Sequence, residues 1–357
     1  MIPEDVDFPL YQGHCVKVSV INGAKSHMLA DMLVHPAPQG QKYMELADFS
    51  FLIESRHCNQ KVLFDLAFMK DLGDRMPPAL KALFAGDEHV KGGIDEFHNV
   101  PDTIQAQGIE LSEINAVIWS HVHIDHVGDL SVFPPNTDLV VGPGLKASCM
   151  PGYPTNPDAF VLDNAFQGRR VQEVDFASST TTIGGFRAVD FFADSSLWLL
   201  EAPGHTDHHL CALCRTTESS WCLLGGDACH NMAQLRPNRF RPLPDNIPAS
   251  MLGRTPPPER CGCAQTPHPV RPDKESSFYG LAPGMHENLE KAEQTVEKLK
   301  VFDGRDDVMI FIAHDATLLN VLEFFPQDIN DWKARGWAAQ GRWLFLEDMG
   351  RVAAANS

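Results

Sequence analysis

His121, His123, Asp125 and His126 fall within one stretch of six residues, His121-Val122-His123-Ile124-Asp125-His126. Imidazoles and a carboxylate at that density are metal-ligand chemistry, because neutral imidazole nitrogens and carboxylate oxygens are good donors for zinc and for iron. The first pair has a local geometric basis. On an extended chain, residues two apart project to the same side, so His121 and His123 can grip one ion together. Asp125 and His126 follow once the chain turns and can face a second ion close by. The competing reading is a solvated, histidine-rich loop.

The elements that must position these groups argue against that loop. Ile114-Asn115-Ala116-Val117-Ile118-Trp119-Ser120 is apolar and reads as a buried strand, with a helix expected to begin over residues 127–130. The donors would then lie at the C-terminal end of a strand, where open sheets commonly place their chemistry. Three more apolar stretches end in donor-type residues: Leu200-Glu201-Ala202-Pro203-Gly204-His205, Leu223-Leu224-Gly225-Gly226-Asp227 and Phe311-Ile312-Ala313-His314. Taken singly, each is an ordinary feature: a histidine after a strand is commonly a surface residue, and an aspartate after Gly-Gly a turn residue. Glycine beside His205 and Asp227 lets the backbone turn sharply and approach a neighbour closely.

Further strands are expected at 16–21, 49–53, 61–65, 186–192, 197–201, 210–214, 221–224 and 308–313, with helices at 103–107 and 286–300. Residues 237–285 contain Thr255-Pro256-Pro257-Pro258 and Pro267-His268-Pro269. Proline fixes φ and removes a donor, so this stretch is expected to be an irregular excursion over the surface. Its apolar residues Met251, Leu252, Phe278, Tyr279 and Leu281 either line a substrate pocket or tack the excursion to the body. Cys261-Gly262-Cys263 has His268 as its one obvious companion, too few ligands for a closed zinc site.

Composition narrows the possibilities. With 29 Lys and Arg against 47 Asp and Glu, the 357-residue chain carries a net charge of −18, which is unsuited to nucleic-acid binding. No apolar run reaches the length of a membrane-spanning helix. The first residues have neither the basic nor the apolar part of a signal peptide. Nine scattered cysteines fit reduced thiols, so a cytoplasmic protein with no membrane or nucleic-acid partner is expected.

The order H-x-H-x-D-H, then Pro-Gly-His, then Gly-Asp, then a late histidine resembles the metallo-β-lactamase superfamily of binuclear metallohydrolases. The resemblance runs from about Lys17 to His314. It implies an α/β fold with αββα layering: two mixed β-sheets face to face, helices on the outer faces, and a metal site at one edge, as a single domain over 1–357. It also implies that His121, His123 and His205 hold one cation, that Asp125, His126 and His314 hold the other, and that Asp227 bridges them. Zinc leads as the cofactor, with iron or manganese as alternatives. Asp65, ending Val62-Leu63-Phe64-Asp65, resembles the early-strand aspartate that orients ligand histidines, although a plain turn residue is the alternative.

The full donor set looks closest to the quorum-quenching lactonases and their fungal relatives. Those carry a tyrosine three residues after the bridging aspartate, where this chain has His230, which either hydrogen-bonds the substrate carbonyl or faces solvent. His208 also departs from the pattern, where glycine is usual; it and His209 are expected at the rim of the site or behind the ligands. The implied activity is hydrolysis of a small-molecule carboxylic ester, a lactone first, by a bridging hydroxide, with Asp125, Asp227 and His230 as the catalytic groups. A thioester hydrolase and a mono-iron persulfide dioxygenase are the alternatives.

Overall fold

The computed structural model describes residues 8–84, 92–245 and 273–347. Fifteen strands are present among them: β1 (Val16–Leu29), β2 (Val34–His35), β3 (Tyr43–Ser55), β4 (Gln60–Phe64), β5 (Gly93–Phe97), β6 (Ile114–Ile118), β7 (Asp138–Val141), β8 (Val171–Glu173), β9 (Thr182–Ile183), β10 (Phe186–Asp190), β11 (Leu197–Glu201), β12 (Leu210–Thr217), β13 (Ser220–Leu224), β14 (Gly280–Leu281) and β15 (Val308–Phe311). Seven make one sheet in the order β5-β1-β3-β4-β6-β7-β8, and six make the other, β15-β13-β12-β11-β10-β9. Both sheets are mixed. The β4-β6-β7-β8 side of the first is parallel, whereas the second is antiparallel except for β13 and β15.

Side-chain alternation explains the layering. On β3, Phe51 and Ile53 join a core that also holds Leu197 and Leu199 of β11 and Phe311 of β15, so this layer lies between the sheets. Leu52, one residue out of phase, packs on the opposite face with Val100 and Ile104 of the helix Val100–Ala106. Leu200 of β11 faces outward against Val296, Leu299 and Phe302 of the helix Leu289–Asp303. Strands covered on both faces read as near-continuous apolar runs rather than alternating ones, and that is the character of β6 and β11. The architecture is the expected αββα sandwich.

Several boundaries differ from expectation. β1 runs eight residues past the anticipated end at Ile21, through a bulge between Asn22 and Ala24. The cause lies in the tertiary structure: a Cβ on Gly23 would come within 2.2 Å of Ala67 Cβ, so only glycine lets the strand pass that loop. The helix expected at 103–107 begins at Val100, because the Asn99 side chain accepts from the Asp102 amide and Pro101 occupies the first turn. The helix expected from 286 begins at Leu289, after Asn288 caps it.

The proline-rich excursion lies partly outside the described residues, Met251, Leu252, Cys261, Cys263 and His268 among them. Its described end corrects the pocket reading. Phe278, Tyr279 and Leu281 are buried in the core beneath the helix Leu289–Asp303, and β14 pairs with β2. Burial of large apolar groups there outweighs the polar, irregular character of the surrounding sequence.

Candidate metal centre

β6 ends at Ile118, and the chain then crosses between the sheets. The Trp119 amide donates to Val140 of the first sheet, and the Leu210 amide of the second donates to Ser120. His121 follows, fully buried. A single helical turn, Ile124–Val127, carries Asp125 and His126. It begins three residues earlier than the sequence suggested, closed by the His126 amide donating to the His123 carbonyl.

Asp65 holds this loop. It leaves β4 in a left-handed conformation (φ 60°). One carboxylate oxygen accepts from the Ser120 amide at 2.6 Å; the other accepts from Ser120 Oγ at 2.7 Å and His126 Nδ1 at 2.8 Å. His121 Nδ1 donates to Ser120 Oγ at 3.0 Å. Both imidazoles therefore carry their proton on Nδ1 and present Nε2 to the site.

The remaining groups arrive from the second sheet. His205 follows β11 through Gly204 (φ +138°), where a Cβ would meet the Ala292 amide nitrogen at 2.1 Å. Asp227 follows β13; its amide donates to His209 Nε2 at 3.1 Å, so His209 positions the backbone of Asp227. His314 follows β15 and donates from Nδ1 to the Ala47 carbonyl at 2.8 Å, leaving Nε2 facing inward.

Two sets of donor atoms result. His121, His123, His205 and Asp227 form one, and Asp125, His126, Asp227 and His314 the other; within each set the atoms lie within 4.8 Å of one another. Asp227 divides its oxygens between them. Oδ2 is 3.4 Å from His205 Nε2 and 3.7 Å from His121 Nε2, while Oδ1 is 3.0 Å from His314 Nε2 and 3.2 Å from His126 Nε2. His205 Nε2 lies 3.1 Å from His121 Nε2 and 2.9 Å from His123 Nδ1. Nitrogens around a tetrahedral zinc stand about 3.3 Å apart, close to this spacing. Among the described residues, His126 Nε2 and Asp227 Oδ1 are buried without a hydrogen-bond partner, a costly state that a cation would relieve. The donors fit a binuclear metal site.

Electrostatics agree. Burial, reinforced by neighbouring imidazoles, holds His121 and His205 well below the ordinary histidine range, neutral and with lone pairs free. Asp227 is buried, yet His314, His126 and His230 hold its carboxyl well below the usual range. Burial opposes charge on His314 too, but Asp227 and Asp125 push it up to about 9. His314 thus binds a proton in the metal-free protein at pH 7, and a cation must displace it. Metal loading at pH 7 is expected to release protons, measurable with an indicator dye; uptake without release would refute this charge balance. A raised folded pKa stabilises fully below the unfolded value near 6.5, and that stabilisation fades as pH rises through about 9. Buried neutral His121 and His205 act in the opposite sense, so the contribution is read as a difference: the melting temperature of chelated wild type minus that of chelated His314→Gln is expected to shrink between pH 6 and pH 9.5.

Three further groups complete the surroundings. His230 is buried, its Nε2 3.3 Å from Asp227 Oδ2 and its ring stacked on His314 with centroids 5.9 Å apart. His286, which the sequence marked only as a helix start, places its ring 5.2 Å from His205 and 5.5 Å from His230. All four ring nitrogens of His230 and His286 are buried without a hydrogen-bond partner among the described residues. Asp48, also unmarked, is buried on β3 beside the carbonyl that His314 uses; burial and then Asp125 raise its carboxyl well above the usual range. Its one sequence signal is a carboxylate within an otherwise apolar stretch. His208 and His209 are buried and belong to neither donor set.

The profile of the metallo-beta-lactamase superfamily matches residues 49–305. The chain is 38% identical over 338 residues to metallo-hydrolase mfmC of Annulohypoxylon moriforme, covering 94% of this chain and 88% of that protein. It is 36% identical over 334 residues to gamma-lactamase FDB1 of Fusarium pseudograminearum, covering 89% of this chain and 78% of that protein. Against cytochrome P450 monooxygenase mpaDE of Penicillium brevicompactum it is 37% identical over 94% of itself, but it spans only 37% of that protein's length. Among solved structures, a single-substitution mutant of AiiA from B. thuringiensis with N-decanoyl-L-homoserine bound at its active site superposes with a TM-score of 0.59 at 16% identity, over 88% of this chain and 99% of the other. That likeness is one of fold.

Proposed function

The chain belongs to the metallo-beta-lactamase superfamily, and from that premise we propose that it is a metal-dependent hydrolase opening a small cyclic ester or amide, a lactone or a γ-lactam. The observation that carries this reading is Asp227 shared between two complete donor sets. Similarity to the gamma-lactamase of Fusarium pseudograminearum supports the ring-opening class. A mono-iron dioxygenase needs only one of the two sets, so a complete second set speaks for hydrolysis. Among the described residues no helix is long and apolar enough to cross a membrane, in keeping with a small-molecule substrate reached from water.

His121 Nε2, His123 Nδ1, His205 Nε2 and Asp227 Oδ2 would hold one cation; His126 Nε2, His314 Nε2, Asp125 and Asp227 Oδ1 would hold the other. Zinc suits this donor set best. Two such ions, when bound, supply an acidified water as nucleophile and polarise the scissile carbonyl. The protein's residues do the rest. Asp125, which needs only one carboxylate oxygen to hold its cation, can accept the proton of the attacking water and return it to the departing ring oxygen or nitrogen, so that no serine or cysteine nucleophile is needed. His230, beside Asp227 Oδ2, can donate to the substrate carbonyl or the leaving atom. His286 can hold a second polar atom of the substrate, because its ring nitrogens have no protein partner among the described residues.

The test is a panel of lactones, γ-lactams, thioesters and phosphodiesters presented to zinc-loaded protein, with ring opening followed by mass shift and acid release by pH-stat. Opening of a lactone or γ-lactam that chelation abolishes is the expected result. Turnover of thioesters or phosphodiesters alone would overturn the proposal. Within the same assay, His286→Phe is expected to lower kcat/KM roughly 5- to 100-fold, the worth of one to two substrate hydrogen bonds, while zinc content stays constant. Loss of zinc instead would make His286 a ligand.

A further inference from the structure

We propose that His14, His57 and Asp194 form a third divalent-cation site, of the zinc type, at the opposite end of the sandwich from Asp227. Donor atoms of the three residues lie within 4.8 Å of one another. They come from three separate parts of the chain. His14 precedes β1, His57 sits in the turn between β3 and β4, and Asp194 sits in the turn between β10 and β11. β4 runs away from His57 toward Asp65, and β11 runs away from Asp194 toward His205, which sets the two centres at opposite strand ends.

The carboxylate is the strongest argument for a cation here. Asp194 is 4% exposed. Its Oδ1 accepts from the Ser196 amide at 2.9 Å and from Ser196 Oγ at 2.5 Å, whereas Oδ2 is buried without a partner among the described residues. Asp190, the last residue of β10, also leaves Oδ1 buried and unpartnered, and its carboxyl is raised by burial and by the charge of Asp194. The neighbouring cation, Arg215, does not answer this charge. Its guanidinium donates to the carbonyls of Pro9, Ser195 and Glu218 and lies over Trp221. A buried carboxylate without a counter-charge is expensive, and two imidazoles face it.

The rings of His14 and His57 are stacked, with centroids 3.7 Å apart and an interplanar angle of 26°, so a shared cation requires one ring to turn until its nitrogen converges on Asp194. Two imidazoles and one carboxylate are a three-donor zinc set that leaves a position for water. Among divalent ions, nitrogen donors favour the later first-row metals over magnesium or calcium. His57 is exposed, so an ion has access. A cation here would tie the segment before β1 to both sheets at once and would stabilise the fold by mass action.

The experiment compares wild-type protein with His57→Phe, which keeps an aromatic ring against His14 but offers no nitrogen, and with Asp194→Asn. After zinc loading and gel filtration, metal content is measured by plasma mass spectrometry, and melting is followed with and without added zinc. Wild type is expected to hold one zinc more per chain than His57→Phe, whatever the far centre binds. Added zinc is expected to raise its Tm by a few degrees, on the order of 3 °C, and the variant's by less. Should Asp194→Asn fail to fold, the His57→Phe comparison still decides. Equal zinc content and equal melting response in wild type and His57→Phe would overturn the proposal. Because the count is a difference, its failure is separable from any failure of the hydrolytic assignment.

Discussion

Asp227→Ala is expected to lower turnover by at least on the order of a thousandfold and to leave the protein with at most one tightly held ion at its catalytic centre. The reason is the division of labour between its two oxygens. Oδ2 serves the His121, His123 and His205 set, and Oδ1 serves the Asp125, His126 and His314 set. Alanine removes a donor from both sets at once, together with the negative charge that lets two cations sit side by side. Metal analysis and kcat/KM on the same preparation check both consequences. Asp227→Asn keeps the volume and one donor oxygen while losing the charge, so it separates electrostatics from packing. Undiminished turnover in either variant would defeat the binuclear reading.

Asp65→Ala carries the second largest expectation, and it acts through other residues. Asp65 accepts from the Ser120 amide, Ser120 Oγ and His126 Nδ1 while buried. Removing it strands three donors and frees the His126 ring to rotate. Stability is expected to fall by about 3 to 5 kcal/mol, the cost of leaving buried polar groups unpaired. Metal affinity is expected to fall roughly 10- to 100-fold. Denaturant melts and competitive chelator titrations read the two effects separately. Asp65→Asn should recover most of the backbone stability, because asparagine tolerates the left-handed conformation at this position, but not the affinity, since its amide nitrogen cannot accept from the imidazole. A variant that melts as wild type and binds metal normally would reduce Asp65 to a turn residue.

Much of this centre was legible in the sequence. His121 and His123 lie two residues apart just past the end of β6, and Asp125 and His126 follow because one helical turn closes within four residues. His205, Asp227 and His314 each sit just past an apolar run, and a strand buried on both faces cannot disguise its end. The strands themselves were legible as apolar runs, whereas their assembly into two mixed sheets followed from the resemblance to the metallo-β-lactamase superfamily. What local pattern could not convey was contact between distant segments. Phe278, Tyr279 and Leu281 stand in a proline-rich stretch that looks like surface, yet the helix Leu289–Asp303 buries them. His286 stands beyond the same stretch and carries no motif, yet it closes on His205 across 81 residues of chain. The meeting of His14, His57 and Asp194 depends on two turns and the segment before β1 being brought together by two sheets. Donor identity and strand-end placement are properties of a few neighbouring residues, and the amino-acid order determined them. Which histidines outside the motif close on the donor sets and which distant segments meet are properties of sheet packing, and only the folded chain decided those.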